Sequence, residues 1–358
     1  MARQATAIKP VRLADVAKAA GVSHGTASNV FSHPEIVREE VRERVKAAAD
    51  ALGYAGPDPK GRLLRAGKVN AIGVATAGPL SYFFDDPFAR VVMSGISEIC
   101  DATGAGLSLV SAINGEHLAW NIQSALVDGF IVFCVEGNWQ PVYLTRERKL
   151  PFVVLDFGYD EGALSAIGID NKAGAKLAAD HLLAFGHSRF GVLALNFDEG
   201  SSGPVTALRA EGATYSGTRD RLYGYLETLA GAGIDAASVP IYETGNDVPT
   251  VHASLDYMFD LPEPPTALLA MSDRIAMIAI DWLKERGLSV PGDVSIVGFD
   301  GVPEAATCKP SLTTIAQPMR EMGRRAARAI LDPGQAERRQ EMPIELVVRE
   351  SAGPVSER

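Results

Sequence analysis

Between Ser23 and Asn29 the chain reads Ser-His-Gly-Thr-Ala-Ser-Asn. A helix built from this run presents only short donors and acceptors on its outer side, as a helix lying in the major groove of duplex DNA must. The surrounding charge agrees. Residues 1–70 hold 12 Lys and Arg against 7 Asp and Glu, a net +5, whereas the other 288 residues carry −15 and the whole chain −10. A basic head on an acidic body is expected of a polyanion-binding module joined to something else. Other chemistries lack their signatures. The phosphate-cradling GxxxxGK[ST], a GxGxxG after a strand, the HExxH metal helix and the GxSxG nucleophile elbow do not occur. The six histidines (His24, His33, His117, His181, His187, His252) do not sit at metal-ligand spacing, and Cys100, Cys134 and Cys308 form no CxxC pair. That usage argues against a disulfide framework or thiolate metal site and is expected in a reducing cytosol. The residues thus read as a non-enzyme with neither cofactor nor metal.

A scaffold must hold the polar run out. Leu13, Val16, Ala17 and Ala20 share one helix face. Gly21 supplies a turn, Val22 is apolar, and Ser23 is an N-cap for a second helix running to about Phe31. A third periodic stretch (Val37, Val41, Val45, Ala48, Ala49, Leu52) stops at Gly53, a C′ residue. This is the spacing of a helix-turn-helix unit and also of a plain three-helix bundle; the polar second helix favours the former. From Pro57 to Gly67 the Pro and Gly content reads as a solvated linker, yet Leu63 and Leu64 sit among three cations, an odd place for apolar residues in a tether.

Beyond Val69, β-type runs alternate with helix-period stretches. Strands are expected at Ala71–Thr76, Leu107–Ser111, Phe130–Val135, Phe152–Asp156, Ile167–Asp170, Phe190–Leu195, Val239–Tyr242, Ala267–Met271, Val294–Phe299 and Ile344–Arg349. Helices are expected at Phe88–Cys100, His117–Leu126, Lys172–Phe185, Arg221–Leu229, Val251–Phe259, Arg274–Arg286 and Met319–Leu331. About ten strands with helices between them imply two doubly wound parallel-sheet lobes, whose ligands sit outside the carboxyl ends of the strands. At 358 residues the chain suits two or three domains. No apolar run approaches the 18 residues of a membrane span, and the first 20 residues lack the apolar core of a signal peptide, so a cytoplasmic protein is expected.

The segment LADVAKAAGVSHGTASNVFSHPEIVREEVRERVKAAADALGY resembles the DNA-binding headpiece of the lactose-repressor (LacI) family of bacterial transcription regulators, a match over residues 12–54. Body segments such as IGIDNKAGAKLAADHLLAFGHSRFGVL, MSDRIAMIAIDWLKERGLSVPGDVSIVGFDGVP and PSLTTIAQPMREMGRRAARAIL resemble the same family and the related periplasmic sugar-binding proteins. The resemblance implies an all-α helix-turn-helix headpiece on an α/β body like a periplasmic binding protein. It assigns base reading to His24, Gly25 and Asn29, with Thr26 and Ser28 nearer phosphates. Asn29 stands where the family usually has Arg, and Ala27 where Val is usual. Arg prefers guanine and Asn adenine, so an operator with an adenine opposite Asn29 is expected. Residues 57–68 correspond to a hinge helix that folds on DNA, with Leu64 as the minor-groove wedge and Arg62 and Arg65 near phosphates. Gly61 in place of the common Ala weakens that helix by about 1 kcal/mol.

For the body, the resemblance places an effector against Asp170, Arg221 and Asp300. A carboxylate can accept from two neighbouring hydroxyls, and Arg offers a fixed fork of donors; a strand-end Asp can equally be a helix cap. Gln317 lies at a crossover, Ser272 replaces an Asn common in sugar-responsive members, and Phe84 and Phe88 follow the first strand where aromatics face the ligand or the core. The implied divisions are a tail (1–10), headpiece (11–56), hinge (57–68), an N-lobe (69–166 and 317–342), a C-lobe (167–316 and 343–352) and a tail (353–358). Residues 199–220 read as a lid or a decoration. The expectation is a repressor that binds a pseudo-palindromic operator as a homodimer under control of a small effector, a sugar or sugar derivative, with no membrane partner. Arg221 would also suit a carboxylate or a purine. A transport-type solute-binding protein, the competing reading, calls for a signal peptide and no basic head.

Overall fold

The computed structural model describes residues 11–56, 68–76, 78–111, 115–133, 140–155, 165–335 and 337–356. The expected hinge residues Arg62, Leu64 and Arg65 lie outside the described residues, as do the N-terminal tail and Cys134. The chain divides into two compact units, Met1–Val69 and Asn70–Arg358.

In the first unit, α1 (Leu13–Ala19), α2 (His24–Ser32) and α3 (Glu39–Leu52) follow in turn, with a 3₁₀ turn at Pro34–Ile36. Gly21 takes φ +63° between α1 and α2, and Gly53 takes φ +68° after α3, backbone that only Gly adopts without strain. Ser23 caps α2, its hydroxyl accepting from the Thr26 N–H at 3.1 Å. Leu13, Val16, Ala17 and Ala20 pack on Ala27 and Val30 of α2 and on Val45 and Ala49 of α3, and Phe31 meets Tyr54 edge-on at 5.7 Å. Small residues at the α1–α2 contact let the two short helices cross closely and turn the rest of α2 outward.

The second unit runs β1 (Ala71–Thr76), α4 (Tyr82–Asp85), α5 (Pro87–Thr103), β2 (Gly106–Ser111), α6 (Gly115–Ser124), β3 (Gly129–Phe133), α7 (Gln140–Glu147), β4 (Phe152–Leu155) and β5 (Ser165–Ile169). Next come α8 (Asn171–Ala184), β6 (Phe190–Leu195), β7 (Gly203–Val205), α9 (Ser216–Gly231), β8 (Ile241–Thr244), α10 (Val248–Phe259) and β9 (Ala267–Ala270). It ends with α11 (Asp273–Glu285), β10 (Ser295–Asp300), β11 (Thr313–Ala316), α12 (Met319–Leu331), β12 (Arg339–Met342) and β13 (Glu345–Val347). Two sheets result, ordered β12-β5-β4-β3-β1-β2 and β13-β11-β10-β9-β6-β8-β7. The first is parallel throughout; in the second only the edge strands β7 and β13 run antiparallel. Strands such as β3 and β10 are buried along their whole length because helices cover both faces.

Several expectations change or become definite. Strand β5 spans Ser165–Ile169 rather than 167–170. It pairs with β4 and β12 in the first sheet, so the chain passes to the second lobe at Asp170 and not near Ala166. Residues 353–355 are no tail: Gly353 exchanges hydrogen bonds with the Ser295 hydroxyl and the Val355 N–H donates to the Phe185 carbonyl. Residues 199–220 are built into the second lobe by edge strand β7, a 3₁₀ turn at Ala207–Gly212 and the start of α9, tied by Arg209 and Thr214 on Asp198.

His187 holds the chain end in place. Its Nδ1 lies 3.0 Å from the Thr266 hydroxyl and its Nε2 lies 3.0 Å from the Gly353 carbonyl. Burial pushes its pKa below the ordinary 6.5. The unfolded chain therefore takes up a proton at this site before the folded one does, and stability falls as pH drops below about 6.5. Buried carboxylates such as Asp273 act oppositely in the same window, so the comparison must be between variants. Between pH 7.5 and 5.5, His187→Gln is expected to lose less urea-midpoint stability than the parent; equal losses would contradict this role. Among the described residues, no helix is long and apolar enough to cross a membrane.

Candidate functional site

Two surfaces carry unusual chemistry, one in each unit. On α2, Ala27 and Val30 are buried in the headpiece core, while His24 and Gly25 are exposed and Thr26, Ser28 and Asn29 are half-exposed. The outward face is the one expected to read bases. The Thr26 hydroxyl lies 2.8 Å from the Ser23 hydroxyl, so it is part of the cap as well as of this face. Gly25 has room for a side chain, its nearest neighbour beyond the helix being the Ser23 hydroxyl 3.8 Å from an ideal Cβ.

In the second unit the polar groups gather outside the strand ends. Asp300 closes β10 with φ +128°, a backbone state that L-residues rarely adopt. Strain of this kind, about 1–3 kcal/mol, marks functional positions. Gly301 must follow it, because a Cβ there would lie 2.6 Å from that of Ala316. The Asp300 carboxylate is buried and accepts from Gln317 Nε2 at 2.9 Å, with Arg221 Nη1 3.9 Å away. Arg221 stacks its guanidinium 3.7 Å from the centre of the Phe299 ring, donates from Nε to Asn171 Oδ1 at 2.9 Å, and donates from Nη1 to the Met271 carbonyl. It sits in the second turn of α9, which starts at Ser216 and not at Arg221 as its apolar pattern implies.

Burial drives the Asp300 pKa well above the carboxylate range; Arg221 opposes the rise, and Asp273 and Asp86 add to it. Asp273 lies beneath, accepting from the N–H groups of Gly301 (2.7 Å) and Val302 (2.8 Å) and from the Thr314 hydroxyl. Burial pushes its pKa up to about 6 against those bonds. The Asp300–Gly301 turn is thus held from below by one carboxylate and from the side by an arginine.

The other expected residues have other partners. Asp170 is exposed and caps α8, accepting from the Ala173 N–H at 2.8 Å. The Ser272 hydroxyl caps α11 through the Ile275 N–H and donates to Asn246 Oδ1 at 2.8 Å. Phe84 is largely exposed, Phe88 packs half-buried against the core, and it is Phe83 that is buried, edge-on to Phe133 at 5.3 Å. Sequence reasoning passed over Asn171, Asp273, Asn246 and Asp86. Asp86 had a local signal, an acidic residue before Pro87 as in a helix start; the roles of the others depend on distant partners. Among the described residues, no three His, Cys, Asp or Glu side chains cluster as a metal site would require.

Residues 12–56 match the model of bacterial regulatory proteins of the lacI family, and residues 179–352 match a periplasmic binding protein-like domain. The chain is 37% identical over 353 residues to the HTH-type transcriptional regulator Rv3575c of Mycobacterium tuberculosis, covering 96% of this chain and 97% of that one. Its fold is similar to a lac repressor dimer solved on operator with the anti-inducer ONPF, at TM-score 0.72 and 27% identity over 96% of this chain and 100% of that one. It is also similar to the regulator CelR in its cellobiose complex, at TM-score 0.65 and 27% identity over 95% and 99%. With a polar second helix in its basic headpiece unit and a body unit of two parallel-sheet lobes, the chain belongs to the lacI family of DNA-binding transcription regulators and is not an enzyme.

Proposed function

We propose that the protein is a repressor that reads a pseudo-palindromic operator as a cytoplasmic homodimer, controlled by a neutral hydroxylated molecule, a sugar or sugar derivative, in the cleft between its lobes. Asp300 carries the effector reading: a buried carboxylate in strained backbone, beside an arginine already stacked and bonded. Hydroxyl groups can donate to such a carboxylate. A phosphorylated ligand would bring a second anion toward Asp300 and Asp86, whose nearby cations are already engaged. The cellobiose bound by CelR is a ligand of this neutral kind.

A thermal-shift panel of neutral sugars, sugar phosphates and purines tests this. At a hundredfold excess over Kd, a true effector contributes roughly 2.7 kcal/mol, a shift of roughly 5 °C for a body of this size. A neutral compound should produce it; a shift from phosphorylated compounds alone would contradict the assignment.

In the headpiece, Asn29 is assigned to an adenine through its paired donor and acceptor. Asn29→Ala is then expected to lose about 1–3 kcal/mol of discrimination at one position per half-site while other positions keep theirs. A randomised-operator selection reads this directly, and unchanged preference at every position would remove Asn29 from base reading.

A further inference from the structure

The covalent crossings between the two lobes lie at Asp170, at Gln317 and after Met342. In the strand orders these fall at one edge of each sheet, beside β5 and β12 in the first and β11 and β13 in the second. Away from these crossings the lobes touch again. The segment between β1 and the first turns of α5 stands three strands from β5, roughly 14 Å across the sheet at the usual strand spacing. It meets three separate elements of the second lobe. Asp86 Oδ2 accepts from Asn246 Nδ2 at 3.0 Å, just beyond β8. The Asp85 carbonyl accepts from Arg274 Nη1 at 3.2 Å, at the start of α11. Arg90 pairs with Glu304, just beyond β10.

These links differ in weight. Arg90 and Glu304 are both nearly half exposed, and such a pair contributes little. The Asp86–Asn246 bond is buried on the aspartate side, where the carboxylate also caps α5 through the Ala89 N–H at 3.1 Å. Asn246 is itself constrained: its backbone takes φ +58° and its Oδ1 is held by Ser272. On the other side the segment is no loose flap, because Phe83 anchors it edge-on to Phe133 in the first lobe core. Parting the lobes therefore requires the Asp86–Asn246 bond to break.

We propose that residues 82–90 are a clasp that, together with the crossings, closes the cleft around Arg221 and Asp300 before any ligand arrives, so that ligand entry waits for the clasp to open. This goes beyond the identity of the effector and does not depend on it.

Hydrogen exchange on the full-length protein, free of DNA and ligand, tests the clasp by changing one lobe and reading the other. Asn246→Gly keeps the left-handed backbone and removes only the side chain, and Asn246→Asp sets a second carboxylate against Asp86. Losing one such bond should speed exchange of the 83–90 amides roughly fivefold in Asn246→Gly, and further in Asn246→Asp. Peptides from β2 and β3 in the same lobe should keep their parental rates. An unchanged rate over residues 83–90 in both variants, or a rise spread evenly over both lobes, would overturn the clasp.

Discussion

Arg221→Ala is expected to eliminate the thermal shift given by any cleft ligand and to lower the stability of the ligand-free protein by about 3 kcal/mol. The side chain is only 11% exposed and does four things at once: it faces Asp300, stacks on Phe299, holds Asn171 at the start of α8 and bonds the Met271 carbonyl. Removing one partner of a buried ion pair leaves the other charge uncompensated, a loss of about 3–5 kcal/mol. Here the lower end applies, because the Asp300 pKa already lies well above the carboxylate range and the group can take a proton. Arg221→Lys separates the contributions. Lysine keeps the charge but neither the planar fork nor the stack, so it should recover part of the stability and none of the ligand shift. Urea denaturation and the thermal-shift panel, run on both variants, measure the two effects. A full ligand shift in Arg221→Ala would dismiss the cleft as the effector site.

The second large effect lies away from the cleft, where α5 and α12 cross in the first lobe. A Cβ on Gly95 would fall 2.0 Å from the Arg320 carbonyl oxygen, and one on Gly323 would fall 2.1 Å from that of Val92. Each glycine lets its helix rest directly on the backbone of the other. Glu98 then spans to Arg320 and Arg324 beside the crossing, and both arginines hold its carboxyl below the usual range. Gly323→Ala must push the helices apart, and overpacking of this kind destabilises by about 1–3 kcal/mol, at the upper end where the obstacle is backbone. Gly95→Ala should do the same. Gly231→Ala, near the end of α9 with open space around it, is the control and should be neutral or stabilising by up to about 1 kcal/mol. Chemical denaturation checks all three. If Gly323→Ala matched Gly231→Ala, the close crossing would be refuted.

What could be read beforehand was whatever has a local cause. Helix α12 was legible to both ends, Met319 and Leu331, because its apolar stripe is strongly periodic. Gly21, Ser23 and Gly53 announced the turn, the cap and the stop of the headpiece helices, and each takes that part. Strand β12 was missed because Arg-Gln-Glu-Met reads as a solvated stretch; it is an edge strand, where charge is normal. β7 carries Pro204, tolerated only at such an edge. Asp170 illustrates a different limit. A carboxylate between a strand and a helix has the same local signature whether it caps the helix or awaits a ligand, and in this structure its oxygen is on Ala173. Asn246 and Asp86 are 160 residues apart, and no spacing rule links them. Their meeting is a product of the two sheets and has no counterpart in either stretch alone.

The first lobe is completed only by the far end of the chain. Its sheet takes β12 as an edge, and α12 covers β3, β4 and β5, yet both elements follow the whole second lobe in sequence. A ribosome making this protein therefore releases the headpiece early and the five other strands of the sheet soon after, while the helix that should roof them begins only at Met319, after the whole second lobe. Until then Val153, Ile131 and their neighbours present an uncovered apolar sheet, the kind of surface chaperones hold and proteases clear. A chain cut short before Met319 is therefore expected to lack both the roof and the edge strand of its first lobe, leaving that sheet incomplete beside an intact headpiece sequence.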